Sequence, residues 1–440
     1  MKIKTMIASL AVAALGIATA FAQENTRQAV WLSQAQCREM ALANNESMQK
    51  AGNAAEQAKM DKRVALASWF PQIDGSATGA YMFDNLDIMG MELQMKGMYM
   101  AGITLQQPLY AGGKLVAGTR LAKIGQECAV ENQRKTRMEV LSQADNAYWT
   151  YLATLKKVGM MEAYSAMMDT LCQQLQSTVD AQMATDKDLL QVKAKQSKIR
   201  YQLQKVRSGV ELCRMALCSQ IGLSLDTAVF LTDTILNPTA PELGEVSIEN
   251  RPELALLQKQ VDARKQQSKM VLGDMLPTAG LALGYTYIGN IDLNTSVNTG
   301  MGTIPVNYEM DFSIPLAMVA VRIPITEWGA GSQKMKKAKL EVRNAELDLA
   351  QNERLLTMEA RQAALNLREG YMLIGTARLS VEHAKESLRV MRQRYDLQMC
   401  SLGDLLDAHA QWQQAESDLI EAQTQYKIYE TEYLRTTGNL

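Results

Sequence analysis

The sequence predicts a mainly α-helical chain that also contributes four β-strands to a transmembrane β-barrel. Two observations predict this class: both halves of the 440-residue chain repeat one architecture, and within each half the hydrophobic period changes from 3.6 to 2 and back. Four strands cannot close a barrel, since closure needs about eight. Three chains would supply twelve, so we expect a twelve-stranded barrel in a trimer, continued by long α-helical hairpins as a coiled-coil barrel.

The composition and the missing motifs argue against several classes of function. The chain has 46 Lys and Arg against 47 Asp and Glu, so no basic surplus is present to neutralise the phosphates of a nucleic acid. It contains no G-x-x-x-x-G-K-[ST], G-x-S-x-G or H-E-x-x-H motif, and an enzyme is therefore not expected. No catalytic residue, cofactor or metal site is predicted. His383 and His409 are interpreted as surface or core residues, and the six cysteines, which lack C-x-x-C spacing, as buried thiols.

Residues 1–22 are predicted to be a secretory signal peptide. A basic start precedes an apolar run from Met6 to Ala18, and Ala20-Phe21-Ala22 fits an A-x-A cleavage site. No later run of 18 apolar residues follows, so no transmembrane helix is expected. An exported chain of this kind is either soluble or crosses a membrane as a closed β-barrel, because only helices and closed barrels satisfy the backbone in lipid.

An internal repeat sets the domain organisation. An offset of 216 residues places Pro108 on Pro324 and, without a gap, Asp188-Leu189-Leu190 on Asp404-Leu405-Leu406. An offset of 206 residues fits the start of each half, which indicates an insertion in the second half between these regions. The predicted domains are the signal peptide 1–22, a first repeat 23–204, a linker 205–249, a second repeat 250–425 and a C-terminal segment 426–440.

Each repeat begins with a helix and continues with a β-hairpin. The first helical pattern halts before Pro71, because the residue before a proline disfavours the helical conformation. Alternating apolar residues then predict β-hairpins over about 71–110 and about 277–326. Their polar loops are expected at 84–97 and 289–307, where Gly and Asn are frequent.

A long helical hairpin completes each repeat, over about 112–204 and about 329–425. Its first helix is expected to continue to about Met183 or Met399, which is ~70 residues or ~105 Å at 1.5 Å per residue. Helices of this length must pack along one another, as coiled coils do. Each repeat therefore supplies two long antiparallel helices.

Five motifs occur in a fixed order along the chain. Four are Leu32-Ser33-Gln34-Ala35, Gln107 to Gly113, Asn250 to Leu254, and Ile323-Pro324-Ile325. The most specific is Tyr395 to Ala408, with the sequence YDLQMCSLGDLLDA. Taken together, these motifs make the chain resemble the TolC-like outer membrane efflux proteins, the outer membrane factors of tripartite efflux or type I secretion systems.

The resemblance implies a homotrimer in the outer membrane of a Gram-negative bacterium, with an α-helical tunnel that spans into the periplasm. Segment 205–249 and the C-terminal end would match the family's equatorial belt. The resemblance also implies a passive duct for small molecules or polypeptides. Its partners would be a periplasmic adaptor (membrane fusion protein) and an inner membrane pump of RND or ABC type.

Asp404 and Asp407 match the family's acidic rings at the periplasmic aperture. Three copies of each would place six carboxylates close together, which favours raised pKa values or bound divalent cations. The alternative is that both are solvated carboxylates at a helix start, stabilised by the helix dipole.

Tyr395 and Asp188 match a family pair whose hydrogen bond ties one hairpin to its neighbour and keeps the tunnel shut. The alternative for Tyr395 is an ordinary interface tyrosine, and Cys400 replaces the family's basic residue in this network. Gln182 and Gln398 stand where the family has its tip glycine. The candidate adaptor-docking residues at the two tips are Gln182, Met183, Ala184, Thr185, Gln398, Met399, Cys400 and Ser401.

The alternative function is a soluble periplasmic coiled-coil adaptor or scaffold protein. An adaptor should have one helical hairpin and flanking β-rich domains, whereas this chain has two hairpins and two strand pairs. A scaffold would lack the alternating strands that end at Pro108 and Pro324. The outer membrane channel is therefore the preferred interpretation.

Overall fold

The computed structural model describes residues 29–440 apart from 82, 84–85, 89–90, 95, 184, 234–237, 242–243, 245 and 299–302. Only the backbone is described for residues 29, 86–88, 91–94, 96, 292–298, 303, 305, 307–308 and 310. The predicted signal peptide and the candidate docking residue Ala184 lie outside the described residues.

The described residues form seven helices and eight strands. The helices are α1 (Gln34–Asn44), α2 (Glu46–Ala67), α3 (Lys114–Asp180), α4 (Asp186–Ile221), α5 (Pro252–Asp274), α6 (Ala330–Asp396) and α7 (Leu402–Thr437). The strands are β1 (Ala29–Leu32), β2 (Gln72–Tyr81), β3 (Leu86–Ile88), β4 (Met91–Gln94), β5 (Lys96–Ala111), β6 (Ala228–Leu231), β7 (Thr278–Asn298) and β8 (Thr303–Arg322).

The sequence repeat reappears as a repeat of helix lengths. Helices α3 and α6 each have 67 residues, and α4 and α7 each have 36. The offset of 216 residues holds at both ends of each pair. The two long helical hairpins of the chain are therefore equal in length, residue for residue.

The predicted ends of the helical hairpins are too early, because 204 and 425 fall inside α4 and α7. Helix α4 continues until Gly222 and α7 until Gly438, and both glycines adopt the left-handed conformation, with φ 72° and 78°. Glycine at this position ends a helix without a Cβ penalty. The helix-forming sequence thus runs through the predicted boundaries to the first residue that caps it.

Four long strands form one antiparallel sheet in the order β2, β5, β7, β8, and β4 pairs with the far end of β7 and with β3. Ala77 lies opposite Ala101, and Ile103 lies opposite Tyr285. Within the chain this sheet is open on both faces, since Ile103 and Val319 on one face are 61% and 65% exposed and Leu316 and Met318 on the other are 54% and 48% exposed. A sheet with one face on a protein core would bury one side of this alternation.

The second β-hairpin has a shorter loop than expected. Strand β7 continues to Asn298 and β8 begins at Thr303, so most of the predicted loop 289–307 is paired backbone. The register shifts beside Asn290, whose φ of 62° marks a bulge. The Ile, Thr and Val residues beyond it favour a strand despite their polar neighbours. The first predicted loop, 84–97, likewise contains β3, β4 and the start of β5.

The chain divides into two compact units. One contains the described residues up to Gln49 with Arg137–Ser247 and Glu359–Leu440, and the other contains Lys50–Thr136 and Ile248–Met358. The second unit holds the antiparallel sheet. In the described part of the chain, none of the helices is both long enough and apolar enough to cross a membrane.

The first unit has a core where β1 and β6 pair in parallel beside α1, α3 and α4. Cys37, Tyr148 and Leu217 are among its fully buried members. Helix α1 begins with a capping box, in which the Ser33 hydroxyl accepts from the Gln36 N–H and the Gln36 side chain accepts from the Ser33 N–H. This core surrounds the glycine-capped end of α4, where Leu217, Cys218 and Ile221 are fully buried.

Candidate functional site at the helical hairpin turns

The two long hairpins turn through the same backbone structure. Gln182 and Gln398 adopt the left-handed conformation, with φ 61° and 58°. The next N–H in each turn, from Met183 or Met399, donates back to a carbonyl five residues earlier, at 2.9 Å and 2.7 Å. This is the Schellman arrangement, which normally has glycine at the left-handed position. Both turns therefore have a glutamine where the backbone favours glycine.

We expect Gln182→Gly to stabilise the first turn by about 1 kcal/mol, because a left-handed residue with a Cβ costs about 1–2 kcal/mol and glycine loses part of this gain to chain entropy. Denaturant unfolding of the purified protein measures the change. Gln173→Gly is the matched control, since Gln173 is an exposed glutamine inside α3, and it should destabilise by about 1 kcal/mol. Equal destabilisation by both variants would show that the left-handed backbone carries no strain.

Each returning helix begins with a hydroxyl and a carboxylate. The Thr185 hydroxyl donates to Asp188 Oδ2 at 2.7 Å, and the Ser401 hydroxyl donates to Asp404 Oδ2 at 2.7 Å. The Ser401 N–H also donates to Asp404 Oδ2, at 3.0 Å. These bonds lower the pKa of Asp404, the hydroxyl of Ser401 contributing most. Within one chain, Asp404 is thus the helix-start carboxylate that the sequence left open as an alternative.

The two predicted aperture residues share an exposed face of α7. Asp404 and Asp407 are both exposed, whereas Leu402 and Leu405 on the opposite face are 5% and 1% exposed. Leu405 is thus packed inside the chain. The carboxylates remain available to meet other copies, and their assembly into rings stays a prediction.

The predicted lock residues lie near each other without the predicted hydrogen bond. Tyr395 and Asp188 line one cavity of about 670 Å³. Burial raises the pKa of Tyr395, and the Asp188 carboxylate contributes a smaller part. Among the described contacts, the Asp188 carboxylate receives its hydrogen bond from Thr185 and not from Tyr395. Cys400 donates to the Met391 carbonyl at 3.5 Å, within its own hairpin.

The candidate docking residues are mostly exposed. Met183 and Met399 occupy matching positions in the two turns and are 73% and 74% exposed. Gln182, Thr185, Gln398 and Ser401 are also exposed, and Cys400 is half-buried. Their structure is compatible with contact to another protein, but their role in docking stays a prediction.

His409 is a residue of this region to which the sequence assigned no role. It is 3% exposed, its ring centroid lies 6.1 Å from that of Tyr164, and its Nδ1 has no described partner. Burial lowers the pKa of His409 to about 4, with smaller contributions from Arg392 and Lys195. Its spacing from Leu402, seven residues, is the sequence signal that could have placed it on the buried face.

Among the described residues, no group of three His, Cys, Asp or Glu side chains is arranged to hold a metal ion. All six cysteines are free thiols. Cys37 and Cys218 are buried as expected, whereas the other four are half-buried. Burial, the largest cause, raises the pKa of the Cys37 thiol to about 12, which disfavours the reactive thiolate.

The model of the outer membrane efflux protein family matches residues 37–222 and 243–439. The chain belongs to this family. The matched segments contain both long helical hairpins, so the resemblance drawn from the motifs is confirmed. Membership places the protein in the outer membrane of a Gram-negative bacterium.

Individual proteins are also similar to this chain, in part of the sequence or in fold. The chain is 25% identical to the proteases secretion protein PrtF of Dickeya chrysanthemi over 206 residues, which are 45% of this chain and only 40% of that relative. The CmeC outer membrane channel of Campylobacter jejuni is similar with a TM-score of 0.77 and 16% identity, covering 92% of this chain and 85% of CmeC. VceC of Vibrio cholerae is similar with a TM-score of 0.73 and 15% identity, covering 92% of this chain and 96% of VceC. The mainly helical fold with few strands is therefore confirmed.

Proposed function

We propose that this protein is the outer membrane channel of a tripartite efflux pump or a type I secretion system, a passive duct for small molecules or polypeptides. The observation that carries the proposal is the family match, which extends over both repeats and both helical hairpins. A soluble adaptor or scaffold is not favoured, because the match includes the strands as well as the helices. No catalytic activity is part of the proposal.

The open sheet supports a barrel built from several chains. Four long strands contribute apolar side chains to surfaces that nothing in the chain covers, including Ile103 and Val319. Three copies would give the twelve strands of a closed barrel, which would leave no free edge. We therefore propose a homotrimer.

An exposed apolar stripe on α6 supports the same assembly. Leu365, Met372 and Leu379 follow one another at seven-residue spacing and are 66%, 60% and 56% exposed. Leu367 and Ile374, on another face of α6, pack with Tyr426 of α7 inside the chain. A second apolar stripe at heptad spacing is the pattern by which a helix packs against a further helix, here in a second copy.

Placing glutamate at Leu365, Met372 and Leu379 together is expected to abolish the trimer, because three charges per chain would enter an apolar contact. Native mass measurement or light scattering in detergent reports the change. Gln362→Glu with Thr376→Glu is the control, since both residues are exposed and polar on the same helix. A trimer that survives the triple change would remove this stripe from the interface.

The proposed partners are a periplasmic adaptor and an inner membrane pump of RND or ABC type. We propose that the adaptor docks at the two turns, with Met183 and Met399 as exposed apolar contacts. PrtF is described as a secretion protein for proteases and CmeC as an outer membrane channel. The proposal leaves the choice between efflux and secretion to the pump that supplies the cargo.

We expect Asp404→Ala combined with Asp407→Ala to weaken channel block by multivalent cations roughly tenfold, because six carboxylates per trimer would be lost from the aperture. The blocking concentration of a trivalent cation in single-channel recordings measures this. Asp186→Ala is the control, an exposed acid in the first turn of the other returning helix. Unchanged block would place Asp404 and Asp407 outside the aperture.

The proposed function is tested by single-channel conductance of the detergent-extracted protein in a planar bilayer, paired with its oligomeric mass. Small, cation-selective openings from a trimer are expected. An exported soluble monomer that does not conduct would overturn the proposal and favour the adaptor or scaffold.

A further inference from the structure

Near its carboxyl end, α3 presents an apolar stripe whose members are buried except for Leu171, which is half-buried. Tyr164, Met168, Leu171 and Leu175 are spaced by four, three and four residues, which places them on one helix face. Tyr164 and Met168 are fully buried, and Leu175 is 4% exposed. This face therefore points away from solvent over the last turns of the helix.

The start of α7 covers this stripe with three residues of its own. Leu402, Leu406 and His409 are spaced by four and three residues, again one helix face. Leu402 belongs to one buried cluster with Leu175, Leu406 packs against that cluster and the next, and the His409 ring lies against Tyr164. The first and second hairpins of one chain thus meet along a seam, defined by these seven residues of α3 and α7.

The other two helices close the seam at the turns. Leu189 and Val192 of α4 are 6% and 0% exposed in the same cluster, and Tyr395 of α6 packs against it. Helices from both hairpins therefore share one apolar cluster next to the turns. Separating the hairpins would expose this cluster to water, at a cost that grows with the apolar area uncovered.

Few polar groups bond across the same contact: the Gln413 amide of α7 donates to Met161 Sδ of α3 at 3.4 Å. The Asp188 carboxylate is engaged by Thr185 of its own hairpin and the Cys400 thiol by Met391 of its own hairpin. One ion pair that joins the hairpins, Lys157 with Glu421 at 3.4 Å, lies away from the turns, and the Glu421 side chain is 72% exposed. Exposed pairs of this kind add little stability.

We infer that the closed arrangement of the two turns is held by the seam, with Leu402 as its main positioning residue, and not by the Tyr395–Asp188 pair. The inference deepens the proposed function, since it names what must part when the tip of the channel opens. An apolar contact is insensitive to salt, whereas a contact between charges is screened by it. The two explanations therefore predict different responses to salt and to substitution.

The test is amide hydrogen exchange of the full-length protein in detergent, followed in peptides that cover 171–180 and 402–409. Leu402→Ala should accelerate exchange in both peptides by about tenfold or more, because it removes buried contacts from the seam. Leu190→Ala is the matched control, since Leu190 is a leucine near the same turn that is 65% exposed. Asp188→Asn, Tyr395→Phe and 1 M NaCl should each change exchange by less than about twofold.

A second variant should strengthen the seam and slow amide exchange. Leu171 lines the cavity of about 670 Å³ beside the seam, so Leu171→Phe has room for the larger ring and should slow exchange at the turns. Single-channel recordings should show a larger open fraction for Leu402→Ala and a smaller one for Leu171→Phe.

Acceleration by Asp188→Asn or by salt, equal to that of Leu402→Ala, would overturn the inference and assign the closed tip to polar contacts. The same conclusion would follow if Leu402→Ala matched Leu190→Ala. If the wild-type protein did not conduct, the proposed function would fail, while the exchange comparison would still decide whether the seam holds the hairpins together. Leu406→Ala provides an independent test if Leu402→Ala does not fold.

Discussion

Asp145→Ala is expected to destabilise the protein by about 3–5 kcal/mol, since it leaves a partly buried guanidinium without its carboxylate. The Asp145 side chain is 1% exposed. Arg38 donates to both of its oxygens, at 2.9 Å and 2.5 Å, and the Thr431 hydroxyl donates at 2.9 Å. The carboxylate thereby joins α1 and α3 of the first repeat to α7 of the second half of the chain.

Denaturant unfolding followed by circular dichroism measures this loss. Glu421→Ala is the control, because it removes a carboxylate from an exposed ion pair with Lys157 and should cost less than about 1 kcal/mol. Thr431→Val should give an intermediate loss of about 1 kcal/mol, since it removes one hydrogen bond to Asp145. A loss for Asp145→Ala no larger than that for Glu421→Ala would mean that this network adds nothing to stability.

Acidification between pH 6.5 and 4 is expected to remove roughly 3 kcal/mol of stability through His409. Its pKa in the folded protein is about 4, below the ordinary 6.5, so the unfolded chain binds the proton first. The contribution of His409 is therefore fully present above pH 6.5 and is lost as the pH falls toward 4. Burial is the main cause, and the positive Arg392 and Lys195 add to it.

The measurement compares unfolding at pH 7.5 and pH 4 for the wild type and for His409→Phe. Carboxylates also protonate in this range, so the informative quantity is the difference between the two proteins. His409→Phe should flatten the pH dependence, because the phenylalanine keeps an aromatic ring beside Tyr164 and cannot bind a proton. His383→Gln, at an exposed histidine, should leave the dependence unchanged; an equal effect of both variants would show that His409 is not the responsible group.

The hydrophobic period and the internal repeat were enough to predict the long helices. Two 67-residue helices that are related by one offset give many positions at which the two halves of the sequence can be compared. The same patterns did not predict where an element ends when a single residue determines that end. The end of α4 depends on the left-handed Gly222 and not on the apolar pattern, and the extension of β7 depends on pairing after the bulge at Asn290. Local composition around 289–307 is typical of a loop, and only the partner strand makes it paired backbone.

Sequence spacing likewise predicted only part of the candidate site. The positions of Asp404 and Asp407 on one exposed face follow from their spacing of three residues on a helix. The partner of Asp188 does not follow from spacing, because Thr185 competes for the carboxylate that the family resemblance assigned to Tyr395. The sequence left His409 as either a surface or a core residue, because a single histidine has no periodic signal of its own. Its burial depends on Tyr164, which is far away in sequence.

The equal lengths of the paired helices limit how the gene for this chain can change. One residue inserted into α3 would advance every later position by 1.5 Å and rotate it by about 100°, so its buried stripe would turn toward solvent. Residues gained between the strands cause no such rotation, and the offset there differs between the halves. We therefore expect natural variants to tolerate insertions and deletions between the strands. Insertions and deletions in the long helices should persist only when a compensating change keeps the two hairpins equal in length.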